Sequence, residues 1–201
     1  KEAIKILNEN NLSIKHLDLG GGFGISYKNE KELNLKKLNQ LIHKYFDKNN
    51  LKISVEPGRF LVAKAGILVT KILNNKVSDS INYLITDAGM NTFIRPAMYD
   101  AFHKIISLKT GSEKKIYTVA GPICESSDIL GKDIELPKQK IGNYLVVCDT
   151  GAYGFTMSSN YNSRSLPSEI LVYNKKYEII RKEENFSATI EKDLIPSWLK
   201  N

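Results

Sequence analysis

Residues 16–25 read HLDLGGGFGI, a short β-prone run driven straight into three successive glycines. At a strand's end, Gly20, Gly21 and Gly22 keep side chains away from the backbone. They let N–H groups converge on an anion, and a following helix start adds a favourable dipole. The form GGGFG lacks the Lys-Ser or Lys-Thr ending of a nucleotide P-loop, so it suits one phosphate group better than a triphosphate. The same glycines also serve a tight strand exit without a ligand, and the run alone leaves both open.

Its surroundings read as parallel α/β structure. Ala3, Ile4 and Leu7 stand at helical spacing, and residues 12–19 form the strand that enters the glycines. Residues 30–46 place Leu33, Leu38, Leu41, Ile42 and Tyr45 near one face of a surface helix, and residues 51–57 are the next strand. Helix, strand, helix, strand at this spacing is the grammar of βα units. The second strand ends in VEPGR, residues 55–59. Gly58 offers another flexible N–H, Pro57 stiffens the exit, and Glu56 and Arg59 bracket it. Two glycine-bearing exits on adjacent strands favour a phosphate cradle more than either does alone, although a surface salt bridge remains open for Glu56. The last βα loops of a β/α barrel are its common phosphate site. Two βα units cannot close such a barrel, which needs eight strands and about 250 residues. With Lys1 opening inside a helix that lacks a start signal, the expectation is that residues 1–60 are the end of a β/α barrel. Its N-terminal half is then missing from this chain.

Beyond residue 60 the rhythm changes to short β-like runs separated by turn-rich pieces, which predicts a mostly antiparallel β domain over residues 61–201. The apolar stretch 60–69 reads as buried structure. Residues 169–172 and 178–181 pair as a hairpin turning at Asn174 and Lys175, and a short helix is expected near residues 187–194.

Composition narrows the function. The 201 residues are 42% hydrophobic and 25% charged, with no apolar run of the roughly 18 residues a membrane span needs. Without a signal pattern the expected location is cytoplasmic. The net charge of +7 comes from 25 lysines and only four arginines, spread among glutamates rather than in a stripe, which argues against nucleic acid. Cys124 and Cys148 are too few for a disulfide scaffold and lack zinc-site spacing, so free thiols and no metal are expected.

Three later segments carry polar chemistry. Residues 87–103, DAGMNTFIRPAMYDAFH, put Arg95 and Tyr99 four apart. A helical turn starting at Pro96 brings them together as a carboxylate clamp, while an exposed arginine beside a packed tyrosine is the plain alternative. His103 reads as a structural residue rather than a base. Residues 119–131, VAGPICESSDILG, set Cys124 and Glu125 in a polar turn after a Gly-Pro break, where a thiol can act as proton donor or nucleophile and a carboxylate can receive an ammonium. Cys148 lies in a β run and reads as core. Residues 149–164, DTGAYGFTMSSNYNSR, flank Tyr153 with Gly151 and Gly154, presenting the ring from a bend towards a ligand or against a sheet edge.

In order along the chain, LDLGGGFGI, VEPGR, DAGMNTFIRPAMYDAFH, GPICESSD and GAYGFTMSSNYNSR resemble the diaminopimelate decarboxylases. These are pyridoxal-phosphate enzymes built as an alanine-racemase-like barrel followed by a β domain. The resemblance implies decarboxylation of meso-2,6-diaminopimelate to L-lysine in the complete protein. It implies that Gly20, Gly21, Gly22, Pro57, Gly58 and Arg59 cradle the cofactor phosphate and that Glu56 faces the pyridine nitrogen. Arg59 also lies beside substrate, Arg95 and Tyr99 hold the carboxylate at its non-reacting end, Glu125 takes its distal ammonium, and Cys124 donates the proton. Tyr153 approaches cofactor and substrate. Cys124 and Glu125 are expected to reach across a homodimer interface into the neighbour's site. The family's cofactor-bearing lysine and ring-stacking histidine belong to the N-terminal half, so this chain alone is expected to be inactive. Ornithine- or arginine-directed relatives share the glycine run and the Glu-Pro-Gly-Arg exit, whereas CESSD and MSSNYN look like the diaminopimelate branch. A β-rich binding module without chemistry is the alternative from another class.

Overall fold

The computed structural model describes residues 2–28, 30–46, 51–191 and 193–199. The chain divides into two compact units, Lys1–Ala63 and Lys64–Asn201. The first contains α1 (Glu2–Glu9), β1 (His16–Asp18), α2 (Leu35–Phe46), β2 (Lys52–Ser54) and α3 (Gly58–Val62). β1 and β2 pair in parallel with His16 opposite Lys52 and Asp18 opposite Ser54. Both strands are shorter than their sequence runs. The ladder stops before the glycine turns, and the pairing continues beyond it with the Leu19 N–H donating to the Ser54 carbonyl and the Glu56 N–H to the Gly20 carbonyl, both at 2.9 Å.

The helix expected over residues 30–46 begins only at Leu35. Glu30 turns back instead, and one of its carboxylate oxygens accepts the N–H groups of Tyr27 (3.0 Å) and Lys28 (2.7 Å). Asn34 then caps the helix, its Oδ1 accepting the Lys37 N–H at 2.9 Å. Within this unit α2 buries no residue, and Leu41 and Tyr45 are both 40% exposed.

The second unit is built on six strands: β3 (Leu68–Ser78), β4 (Ile81–Thr86), β5 (Ile105–Ser107), β6 (Lys114–Ala120), β7 (Ile129–Pro137) and β8 (Tyr144–Val147). They lie in the order β5-β8-β3-β4-β6-β7, antiparallel except for the parallel β4–β6 pair. The sheet is mixed and nearly closed. Its edges approach at Gly131 of β7, where a Cβ would stand 3.0 Å from the Ile105 Cδ1 of β5. Ile72, Leu84, Phe93, Tyr117, Val119, Leu130, Leu145 and Val147 fill the interior. α4 (Arg95–Tyr99), hairpin β9 (Glu169–Tyr173) and β10 (Lys176–Arg181), and α5 (Phe186–Ile190) complete the unit. The hairpin turns at Asn174 (φ 47°) and Lys175 (φ 64°), the left-handed pair a tight two-residue turn requires.

Residues 60–69 and Cys148 depart from expectation, and β7 is a strand that the sequence reading does not mark. Residues 60–69 are not one buried element. They divide among the end of α3, a 3-10 turn at Ala63–Ala65 and the entry to β3, so Ala63 is buried while Leu61, Ile67 and Val69 are more than half exposed. Strand β7 carries Lys132, Asp133 and Glu135, and its register slips against β6 with Asp133 at φ 55°. That bulge interrupts the alternation by which a strand is read. Cys148 lies one residue past β8 and is half-buried rather than core.

Candidate active site

In the first unit, the two glycine-bearing turns are bonded to each other. The Glu56 N–H donates to the Gly20 carbonyl at 2.9 Å, and the Gly58 N–H donates to the Glu56 carbonyl at 3.0 Å. Gly20 (φ 72°) and Gly22 (φ 81°) occupy the left-handed region. A Cβ on Gly21 would stand 3.1 Å from the Glu56 carbonyl oxygen, so a side chain there would press the turns apart. Asp18 anchors the first turn. Its Oδ1 accepts the Gly20 N–H (2.6 Å) and its Oδ2 accepts the Ser54 hydroxyl (2.9 Å), while the His16 ring meets the same Ser54 oxygen at 2.7 Å. The Gly20 and Ser54 bonds hold the Asp18 carboxyl below the usual aspartate range. No helix follows the glycine run directly, since α2 starts twelve residues after Phe23, so backbone N–H groups rather than a helix dipole are what this turn offers. Glu56 is exposed, and Arg59 lies on α3 with its guanidinium 6.0 Å from the Tyr27 ring centre.

These residues fit pyridoxal phosphate. A paired turn with no side chain at three successive positions lets a phosphate approach the Gly21 and Gly22 N–H groups closely, the Gly20 N–H being taken by Asp18; Arg59 adds a cation, and Glu56 adds a carboxylate suited to a protonated ring nitrogen.

In the second unit, Pro96 sits in the first turn of α4, and the Arg95 guanidinium lies 5.8 Å from the Tyr99 ring centre and 5.5 Å from that of Tyr153. Tyr153 reaches it from a backbone at φ 59°. Its neighbour Gly154 has room for no Cβ, which would fall 2.5 Å from the Thr150 carbonyl oxygen. Arg95 is buried, and its Nε donates to the His103 Nε2 at 3.3 Å. The other ring nitrogen of His103 lies 3.0 Å from the Cys148 carbonyl, and Phe93 packs edge-on at 4.6 Å. An Nε2 that accepts places the proton on Nδ1, where it is donated to that carbonyl. Burial pushes the His103 pKa down, Arg95 adds to this, and the Cys148 carbonyl opposes it. His103 is thus a neutral acceptor that orients an arginine.

Cys124 and Glu125 stand exposed at the tip of the turn between β6 and β7. The Asn162 side-chain amide donates to the Cys124 Sγ at 3.3 Å, and the Tyr161 hydroxyl donates to a Glu125 carboxylate oxygen. That contact raises the Tyr161 pKa above the ordinary phenol value. Asn162 (φ 55°) and Ser163 (φ 55°) bend the chain so that neighbouring side chains reach neighbouring targets. A depression of about 500 Å³ lies beside them, lined by Met90, Asn91, Ile94, Ser159 and Tyr161. Among the described residues no group of three or more His, Cys, Asp or Glu is placed to hold a metal ion, and no helix is long and apolar enough to cross a membrane.

Sequence reasoning missed His103 as the partner of Arg95, and it missed Tyr161, Asn162 and Asp128 around the Cys124 turn. MSSNYN stood out as a string, but nothing in one dimension pairs residues 124 and 125 with residues 161 and 162.

The family model for the C-terminal sheet domain of pyridoxal-dependent decarboxylases matches residues 26–151. A diaminopimelate decarboxylase of Methanocaldococcus jannaschii is 40% identical over 200 residues, covering 96% of this chain and 45% of that relative. One from Haemophilus influenzae is 45% identical over 181 residues, covering 89% of this chain and 43% of its own length. The crystal structure of the M. jannaschii diaminopimelate decarboxylase in complex with L-lysine superposes with a TM-score of 0.92 at 40% identity, over 98% of this chain and 47% of that one. The chain therefore spans less than half the length of the relatives it matches. Matched by that family model over residues 26–151 and 40–45% identical to these relatives, the chain, with paired glycine turns in one unit and a buried arginine and an exposed cysteine–glutamate turn in the other, belongs to the pyridoxal-dependent decarboxylases.

Proposed function

We propose that the full-length protein decarboxylates meso-2,6-diaminopimelate to L-lysine and CO₂ with pyridoxal phosphate. In this reading residues 1–60 close a cofactor-binding β/α barrel, and residues 61–201 carry the loops for substrate and for a homodimer interface. The lysine that bears the cofactor belongs to an N-terminal half. The observation that carries the proposal is the Arg95 cluster: a buried guanidinium against two tyrosine rings, in a chain 40–45% identical to diaminopimelate decarboxylases.

When bound, the cofactor supplies an electron sink for the pair left on Cα as CO₂ departs. Gly20, Gly21, Gly22 and Gly58 shape the cradle of its phosphate, which the N–H groups of Gly21 and Gly22 and the guanidinium of Arg59 hold, while the Gly20 and Gly58 N–H groups stay on Asp18 and the Glu56 carbonyl. Glu56 keeps a proton on the ring nitrogen, because an opposite charge favours the cationic form. Arg95 and Tyr99 bind the substrate's far carboxylate, Tyr153 approaches cofactor and substrate, and Glu125 receives the far ammonium. The Cys124 thiol gives its proton to Cα, and water restores it. Cys124 and Glu125 do this in the site of the neighbouring subunit. Lysine is rejected as a substrate because it lacks the second carboxylate that Arg95 and Tyr99 would bind.

The test is turnover by the full-length enzyme on a panel of diaminopimelate, ornithine and arginine, with and without Cys124→Ala. Diaminopimelate turnover, lowered about 10²- to 10⁴-fold by that change, is the expected result. Turnover of ornithine or arginine without diaminopimelate overturns the substrate, and an alanine variant as fast as the native enzyme overturns the proton donor.

A further inference from the structure

The Cys124 turn is closed by a residue that is not itself among those placed in the reaction. Asp128 is 2% exposed. Its Oδ2 accepts the Ile123 N–H at 2.8 Å and its Oδ1 accepts the Met90 N–H at 2.6 Å. Its own N–H donates to the Glu125 carbonyl at 3.1 Å, and its carbonyl accepts the Gly121 N–H at 2.9 Å. One residue therefore grips the position before Cys124 with its side chain and Glu125 with its backbone, so that the pair Cys124–Glu125 is bracketed from both ends.

The same carboxylate ties this turn to the segment that leads to Arg95. Met90 lies five residues before Arg95, and the backbones of Gly89 and Gly121 approach each other across Asp128. A Cβ on Gly89 would stand 2.5 Å from Oδ1, and one on Gly121 would overlap both carboxylate oxygens. Two glycines are thus required by the presence of one buried acid. Burial pushes the Asp128 carboxyl above the ordinary aspartate range, against the opposite pull of the Ile123 and Met90 N–H groups and of Arg164. A buried acid in that balance is a poor stabiliser in its own right, and what it does is hold two loops in register.

We propose that Asp128 is the positioning residue of the active site, fixing the Cys124 thiol and the Glu125 carboxylate from below while Asn162 and Tyr161 hold them from the side. The proposal rests on the roles given above to Cys124 and Glu125. It adds that the loop 121–128 is rigid because of one carboxylate, and that the thiol's aim depends on it.

The experiment uses the full-length enzyme with cofactor and compares Asp128→Asn in the native and the Cys124→Ala backgrounds. An asparagine presents an NH₂ group to one of the two N–H donors, so it breaks one of the side-chain bonds while keeping the volume. Hydrogen exchange across residues 121–128 is expected to quicken more than about tenfold while exchange in β4 and β6 stays unchanged. In the native background kcat is expected to fall about 10- to 100-fold. In the Cys124→Ala background the same change is expected to lower kcat at least about fivefold less than in the native background, because there is no thiol left to misplace and only the effect through Glu125 remains. Unchanged exchange in the loop, or an equal fall in both backgrounds, overturns the proposal. If Cys124→Ala alone is fully active, the catalytic reading fails, and the exchange result still decides whether Asp128 holds the loop. Should Asp128→Asn not fold, Gly89→Ala carries the test by displacing the same carboxylate, with the same outcomes.

Discussion

The two units present chemistry in opposite ways. In Lys1–Ala63 the candidate groups are mostly backbone N–H donors, and the glycines succeed by having no side chain. In Lys64–Asn201 they are side chains, and each is held by another: Arg95 by His103, Cys124 by Asn162, Glu125 by Tyr161. The supporting structure differs accordingly. The first unit makes its turns with a parallel pair three residues long, whereas the second uses a six-stranded sheet and an apolar interior to aim a handful of polar groups. A backbone cradle needs only local φ and ψ values. A side-chain site needs rigid neighbours.

The largest expected effect tests the side-chain half. Arg95→Gln in the full-length enzyme should lower kcat/KM for diaminopimelate about 10³-fold, in line with the 2–5 kcal/mol typical of losing one partner of a desolvated charge pair. A loss under tenfold in steady-state assays would remove Arg95 from substrate recognition and weaken the contrast. Next, Leu84→Ala, at a fully buried position on β4, should cost about 2–5 kcal/mol in chemical denaturation. A cost below about 1 kcal/mol would mean that the second unit's interior is not what steadies it.

A smaller effect tests the backbone half. Gly21→Ala should weaken cofactor binding by the full-length enzyme about tenfold, roughly 1.4 kcal/mol, because its Cβ presses on the Glu56 carbonyl and occupies the cradle. Absorbance titration with pyridoxal phosphate reads it, and unchanged affinity would detach the glycine run from the phosphate.

The smallest sharpens the support for Arg95. Burial lowers the His103 pKa, so the folded protein keeps the ring neutral where the unfolded chain's imidazole takes up a proton, near pH 6.5. The unfolded state then binds more protons. The His103 contribution is therefore complete above about pH 6.5 and declines as pH falls from there towards the lowered folded value. Unfolding titrations between about pH 7 and 5 should show a steeper loss of stability for the native protein than for His103→Gln. Equal slopes would mean that His103 is protonated in the fold and does not accept from Arg95.

How far the sequence could be read follows the same division. The glycine turn, the Glu56–Arg59 exit, the β9–β10 hairpin and its Asn174–Lys175 corner all depend on residues within a few positions of each other, and all of these elements were legible. α2 was misread at its start because Leu33 fits the helical face, while the choice between Glu30 folding back and Asn34 capping is settled by hydrogen bonds that periodicity does not contain. β7 was overlooked because its bulge at Asp133 breaks the two-residue alternation. Around the candidate site, the motifs marked Arg95, Tyr99, Cys124, Glu125 and Tyr153, but not what steadies them.

From its residues alone, this protein's kinship is determined and its candidate reactive groups are marked, because glycine, proline, cysteine and paired charges carry their chemistry in their own atoms and immediate neighbours. Only the tertiary structure decides that Asp128, His103, Tyr161 and Asn162 serve those groups. Each meets its partner across 3 to 38 residues of chain or across a sheet, and such contacts are set by the packing of β-strands whose pairing no local signal records.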